Sequence, residues 1–304
     1  MVGALALFLI LLYLTLLAAP MNFPRNSIVN IPAGTSVEKA GALLKEKGVI
    51  SSPFAFSMLL RMFHPSGIIA NYYAFKNREN VIAVAWRLAE GTTDLVRVRV
   101  TVPEGSSTFE IAAILKNAFG EFDTTSFIKL ATPHEGYLFP DTYFFLPNTR
   151  PEDIIAMMQK NFDEKVQPLE KNITAFGKPE KDVIAMASLL EREARQLDTR
   201  RTVAGILWKR VRLGMPLQVD AVFGYILGES GYAPTLDDLK IDSPYNTYLH
   251  KNLPPGPIGN PGLGAIEAAI TPIQTPYLYY LTDKEGNIYY AKTFEEHLVN
   301  KKKL

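Results

Sequence analysis

Residues 187–196 read ASLLEREARQ, an apolar helical run that breaks off into three charges, Glu191, Arg192 and Glu193. Such a place holds either the solvated end of a core helix or a proton donor. Side chains advance ~100° per residue on a helix, so Glu191 and Glu193 point about 160° apart and do not easily serve one cleft. Glu191 has Arg195 at i+4, the favourable order for a surface ion pair, and a solvated salt bridge is the expectation for it. Glu193 lies almost in line with Met186, with Leu189 at i−4 and, if the helix reaches that far, Leu197 at i+4. Apolar neighbours desolvate a carboxyl and raise its pKa toward the range of a general acid. A helix-end glutamate paired with Arg200 or Arg201 is the alternative, and spacing does not choose between the two.

Two further segments carry polar groups. Residues 243–262, SPYNTYLHKNLPPGPIGNPG, form a long loop without a regular element, anchored by Tyr245, Tyr248, Leu253 and Ile258. Asn246, Thr247, Tyr248 and Asn260 offer neutral hydrogen-bonding groups beside aromatic faces, as a sugar requires, although on the residues alone a plain structural loop whose tyrosines pack on the core is the favoured reading. PLQVD at 216–220 adds Gln218 and Asp220 just after a helix stop at Gly214.

Other chemistries are excluded or weak. Histidines at 64, 134, 250 and 297 have no metal-ligand spacing, so no metal site is expected. There is no cysteine, which removes disulfides, thiolate ligands and thiol nucleophiles. The glycines at 256–264 follow no dinucleotide or phosphate-loop pattern, and no cofactor is expected. SFIK at 126–129 matches S-x-x-K without its companion motifs. Thirty-two Lys and Arg nearly balance 31 Asp and Glu, so the footprint of a nucleic-acid binder is missing.

The elements that must position these groups follow from pattern. The first 24 residues carry no charge, and VGALALFLILLYLTLLAA is long enough for a membrane anchor over 1–22. A cleaved signal peptide is the rival, but the segment lacks a basic start and a good cleavage site. Charge counting leaves the orientation open. VNIPAGTSVEKAGALL from Val29 is echoed by VTVPEGSSTFEIAAIL from Val100, each reading as strand, Pro-x-Gly turn, Ser/Thr cap and helix. Helices are expected near 52–62, 79–89, 108–118, 151–165, 179–196, 198–213 and 263–270, with a hairpin in YLYYLTDKEGNIYYA around Lys284-Glu285-Gly286-Asn287. A helix pair followed by a hairpin indicates an α+β fold.

EGYLFPDTYF (135–144), ASLLEREA (187–194), GMPLQVD (214–220), YNTYLHKNLPPGPIGNPG (245–262), TPYLYYLTD (275–283) and KTFEEHLVN (292–300) together resemble the endolytic murein transglycosylases of bacteria, the YceG-like family, in the family's order. The resemblance implies a membrane anchor over 1–22, a small LysM-like α+β module with its linker over 23–98, and an α+β catalytic domain over 99–304. It implies one catalytic glutamate, Glu193, with Gln218, Asp220, Tyr245, Asn246, Thr247, Tyr248 and Asn260 facing substrate. The reaction it implies cuts the bond after N-acetylmuramic acid inside peptidoglycan glycan strands and leaves 1,6-anhydro ends. Penicillin-binding peptidoglycan synthases are the implied protein partners. The implied location is the cytoplasmic membrane, single-pass, with the catalytic domain on the extracytoplasmic side. Val219 and Ala221 depart from the family's QTDPT, which puts the local backbone there in doubt. A two-carboxylate hydrolase using Asp220 and a tethered peptidoglycan-binding scaffold remain the alternatives.

Overall fold

A strand, a glycine turn and a serine-capped helix occur in each of the two units into which the computed structural model divides the chain, Met1–Arg97 and Val98–Leu304. Residues 2–283 and 287–302 are described. In the first unit Gly34 turns at φ 77°, and the Ser36 side chain accepts from Lys39 N; in the second Gly105 turns at φ 79°, and Ser107 forms a full capping box with Glu110. The echo in the sequence is therefore a repeated local structure.

The first unit holds α1 (Val2–Leu12), β1 (Ser27–Ile31), α2 (Val37–Glu46), α3 (Pro53–Phe63), β2 (Asn71–Phe75) and α4 (Val81–Glu90). β1 and β2 pair antiparallel, with Val29 opposite Tyr73, and the helices close over Phe56, Leu60, Val84 and Leu88. α1 runs into a π-helical turn at Tyr13–Leu17, where Thr15 Oγ1 donates back to Leu11 O at 2.8 Å, a bond that competes with the regular ladder. No helix among the described residues is long and apolar enough to cross a membrane.

The second unit contains β3 (Val98–Thr101), α5 (Thr108–Phe119), α6 (Thr124–Ala131), β4 (Thr142–Phe145), α7 (Pro151–Val166), α8 (Glu170–Phe176), α9 (Glu180–Glu193), α10 (Leu197–Leu213), α11 (Ala221–Leu227), α12 (Leu263–Ile270), β5 (Tyr279–Thr282), β6 (Ile288–Ala291) and α13 (Phe294–Lys301). β3 pairs with β4 and β5 with β6, both antiparallel, so the fold is α+β with short two-stranded ladders. The expected turn residues Lys284, Glu285 and Gly286 lie outside the described residues.

α9 is the centre of this unit. Its residues Val183 to Leu190 are all buried, which a helix hydrophobic all round requires. Small side chains on α9 (Ala185, Ala187, Ser188) and α12 (Ala265, Ala268, Ala269) let the two pack closely. Ser188 Oγ accepts from Ile258 N at 3.0 Å and so ties the proline-rich loop to the core helix.

Candidate active site

α9 stops at Glu193, earlier than the expected 196, because Ala194 is extended at φ −150°, ψ 147°. Arg195 and Leu197 are consequently not its helical neighbours, and the three charges go separate ways. Glu191 is not a solvated partner of Arg195. Its side chain is 4% exposed, pairs with Arg200 Nη2 and accepts from Gly262 N at 2.9 Å. The i+4 reading failed because it assumed that the helix continued. Arg192 donates to Gly105 O at 2.8 Å and to Glu110 Oε2 at 2.5 Å. Both side chains staple α9 to the Gly105 turn and the Gly262 segment. A Cβ at Gly259 would lie 2.3 Å from Gly105 O, so glycine is needed where these segments meet.

Glu193 has no cation partner among the described residues. Its Oε2 accepts from Tyr280 Oη on β5 at 2.7 Å. Desolvation pushes the carboxyl up to about 7; the Tyr280 hydrogen bond pulls it down, and the charge of Asp220 adds to the rise. Arg200, expected as a possible partner, is taken by Glu191 and by Ala194 O at 2.7 Å.

Glu193 and Arg192 line three adjoining cavities. One, of about 540 Å³, is bounded by Arg210, Gln218, Asp220, Tyr248, Tyr279, Tyr280 and His297. A second, of about 870 Å³, runs past Gln196, Thr199, Thr282 and Asn287. The third, of about 430 Å³, is bounded by Asp220, Ala221, Tyr232 and Pro234. The carboxyl therefore stands where open spaces join on different sides, a shape suited to an extended chain.

Gln218 and Asp220 face the first cavity. Gln218 sits at φ 54°, in the left-handed region that an L side chain seldom adopts. Its N–H donates to Thr247 O at 3.0 Å. Asp220 Oδ1 accepts from Tyr248 Oη at 2.5 Å; burial, and after it this bond, hold Tyr248 well above its usual titration range. Of the loop residues expected to meet sugar, only Tyr248 reaches the Glu193 cavity.

The other four, Tyr245, Asn246, Thr247 and Asn260, do not line it. Asn246 is fully buried, and its Nδ2 donates to Leu239 O and Ile241 O. Thr247 Oγ1 accepts from Val219 N at 3.0 Å and clips the Gln218–Asp220 segment. Asn260 is fully buried; its side chain accepts from Leu138 N and donates to Ser106 O and Glu135 Oε1. Tyr245 packs on Tyr225 and lines a separate cavity with Trp208 and Pro254. Buried backbone needs partners, and the two amides and the hydroxyl supply them to the neighbouring segments at Leu239, Ile241, Val219, Ser106 and Leu138, so Asn246, Thr247 and Asn260 are engaged in structure.

Tyr280, Arg210 and His297 were missed by spacing, although Tyr280 and His297 lie within TPYLYYLTD and KTFEEHLVN. Arg210 is buried and donates to Leu278 O, Leu217 O and Pro216 O, joining β5 to the Gln218 segment. It also lies 5.0 Å from the Tyr279 ring centre.

The fold and the site define a class of α+β protein with one desolvated acid in an open groove and no metal-ligand cluster among the described residues. The YceG-like family model matches residues 29–303. The chain is 33% identical over 302 residues to the endolytic murein transglycosylase of Bacillus subtilis (strain 168), covering 90% of this chain and 84% of the relative. It is 28% identical to the endolytic murein transglycosylase of Streptococcus pneumoniae serotype 2 (strain D39), covering 93% of this chain and 59% of that longer protein. The crystal structure of a yceG-like protein from Listeria monocytogenes superposes with TM-score 0.62 at 30% identity, over 90% of this chain and 98% of the other. The chain belongs to the YceG-like family.

Proposed function

We propose that the chain is an endolytic murein transglycosylase, a lyase acting inside peptidoglycan glycan strands, with Glu193 as its single acid–base group. The observation that carries the reading is the Glu193 carboxyl held by Tyr280 at the junction of the groove's cavities, where desolvation pushes it up to about 7. Tyr280 occupies Oε2, and Oε1 has no hydrogen-bond partner among the described residues, so one oxygen is oriented and the other is left for substrate.

Protonated Glu193 donates to the glycosidic oxygen as the C1–O bond breaks and positive charge builds on the ring. The resulting carboxylate removes the proton from the sugar's own C6 hydroxyl, whose oxygen closes on C1 to give a 1,6-anhydro end. The proton count closes, because Glu193 ends as it began. Acid–base catalysis of this kind contributes on the order of 10²–10⁴-fold, and ring closure adds an intramolecular advantage. Gln218, Asp220 and Tyr248 line the same cavity and are placed to contact the sugar.

Asp220 beside Glu193 also admits a hydrolase in which Asp220 activates water. Mass spectrometry of products from purified glycan strands separates the two. Anhydro ends support the transglycosylase; reducing ends, heavier by one water, overturn it. A chain that binds strands but never cuts them identifies a scaffold.

The apolar start serves in this reading as the membrane anchor of a single-pass protein, with the rest of the chain on the extracytoplasmic side, where peptidoglycan lies. The strand–helix–helix–strand order of β1, α2, α3 and β2 supports a LysM-like module. Penicillin-binding synthases, which extend the strands, are the fitting partners. Protease protection of spheroplasts tests the placement: both units should be cut from outside.

A further inference from the structure

Helix α3, PFAFSMLLRMF, has a single charged residue, Arg61, yet only one of its faces is buried. Ala55, Phe56 and Leu60 enter the core of the first unit. Phe54, Met58 and Met62 are 72%, 44% and 64% exposed, and at a spacing of four residues they fall within about 80° of one another. Phe63, also exposed, packs on Trp86 of α4 at 5.5 Å and widens the stripe. A helix that is apolar on both sides is normally covered on both.

The position of the stripe indicates its cover. The apolar N-terminal segment is fastened to this same unit: Leu16, Leu17 and Ala19 pack against its core, and Arg78 Nη2 donates to Ala19 O at 2.9 Å and to Pro20 O at 3.0 Å. Ser51 Oγ donates to Ala18 O, and α3 begins two residues later, at Pro53. The stripe thus starts beside the point where the apolar segment ends. The first 97 residues hold nine Lys and Arg against five Asp and Glu, whereas the whole chain is nearly neutral. A basic unit with an apolar stripe, flanked by the half-buried Trp86, fits an anionic lipid surface.

We infer that α3 is an interfacial helix, which lays Phe54, Met58, Met62 and Phe63 into the lipid headgroup–acyl boundary beside the anchor. The inference rests on the membrane reading of the N-terminal segment. Its consequence is that the first unit lies on the bilayer and does not swing freely on its linker.

The chain has no cysteine, so single nitroxide labels report unambiguously. Full-length chains carrying Met58→Cys, Met62→Cys, Leu14→Cys or Lys116→Cys are labelled and reconstituted into nanodiscs of phosphatidylglycerol and phosphatidylethanolamine. Collision with oxygen and with a water-soluble nickel chelate is then compared. Labels at 58 and 62 should show an oxygen-to-nickel ratio severalfold above that at the exposed Lys116, and the ratio should fall in phosphatidylcholine discs. Water-like values at 58 and 62 overturn the inference. If Leu14 is then still embedded, the anchor stands without it; if Leu14 is also water-like, both readings fail. Loss of access to both reagents, with dipolar broadening between chains, would mean a second copy covers the stripe and also overturns it. Embedded labels at 58 and 62 together with an embedded Leu14 support the inference; embedded labels at 58 and 62 with a water-like Leu14 overturn it, because α3 would then meet lipid without an anchor beside it.

Discussion

Tyr280 Oη donates to Glu193 Oε2 across 2.7 Å, joining the last residue of α9 to a strand 87 positions further along the chain. This bond stabilises the carboxylate and opposes the desolvation that raises it. Tyr280→Phe removes the opposing influence, so the Glu193 pKa should rise above about 7. The acid form is the donor, so the alkaline limb of kcat/KM should move to higher pH. The loss of orientation should reduce kcat about tenfold, within the modest range of one neutral hydrogen bond. A limb that stays in place would contradict the assignment.

Glu193→Gln keeps the shape of the side chain and removes the proton. Strand cleavage should fall by on the order of 10²–10⁴-fold while binding to sacculi is unchanged. Release of anhydromuropeptides and a sedimentation assay measure the two separately. Cleavage at the unaltered rate would mean that another group is the acid.

Asp220→Asn removes a charge that raises Glu193 and keeps an oxygen that can accept from Tyr248. The alkaline limb should move to lower pH, with turnover reduced by less than about tenfold, because no proton transfer is lost. Complete loss of turnover would favour the hydrolase.

The same acid makes folding depend on pH. A carboxyl raised to about 7 in the folded chain binds its proton more tightly there than in the unfolded chain, where it titrates in the ordinary carboxylate range. Its contribution is fully present below that range and is lost as pH rises toward 7. Glu135, buried against Thr108 N and Asn260, is also pushed up to about 7 and acts with the same sign. Urea midpoints from pH 4 to pH 8 should therefore fall less steeply in Glu193→Gln, and less steeply still in the double variant with Glu135→Gln. Parallel curves would exclude buried protonation.

Glu191 and Arg200 form a largely buried pair, with side chains 4% and 10% exposed. Arg200→Ala strands the glutamate and should cost about 3–5 kcal/mol of stability, the usual penalty for an uncompensated buried charge. Equilibrium denaturation with an unchanged m-value checks it. A shift under about 1 kcal/mol would return Glu191 to the surface-pair category.

Local chemistry is written locally. Runs of apolar residues, the Ser36 and Ser107 caps, the Pro-x-Gly turns and the helix stop at Gly214 depend on neighbours a few positions away, so the chain sequence by itself determines the α+β pattern and the strand–turn–helix repeated in the two units. Met186 and Leu189 share the helical line of Glu193 and make it a candidate acid, but that line leaves the helix-end reading open, and only the resemblance of ASLLEREA to the family's motif points to it. Tertiary structure alone decides which polar groups remain free. Asn246, Thr247 and Asn260 look like sugar contacts as a string, yet each is used to satisfy buried backbone of the segments the loop packs against. Glu191 looks like a surface acid, yet the break at Ala194 turns it toward Arg200. Tyr280 meets Glu193 only because α9, α10 and the β5–β6 ladder pack together, and a hydrogen bond between residues 87 positions apart leaves no periodicity to be read.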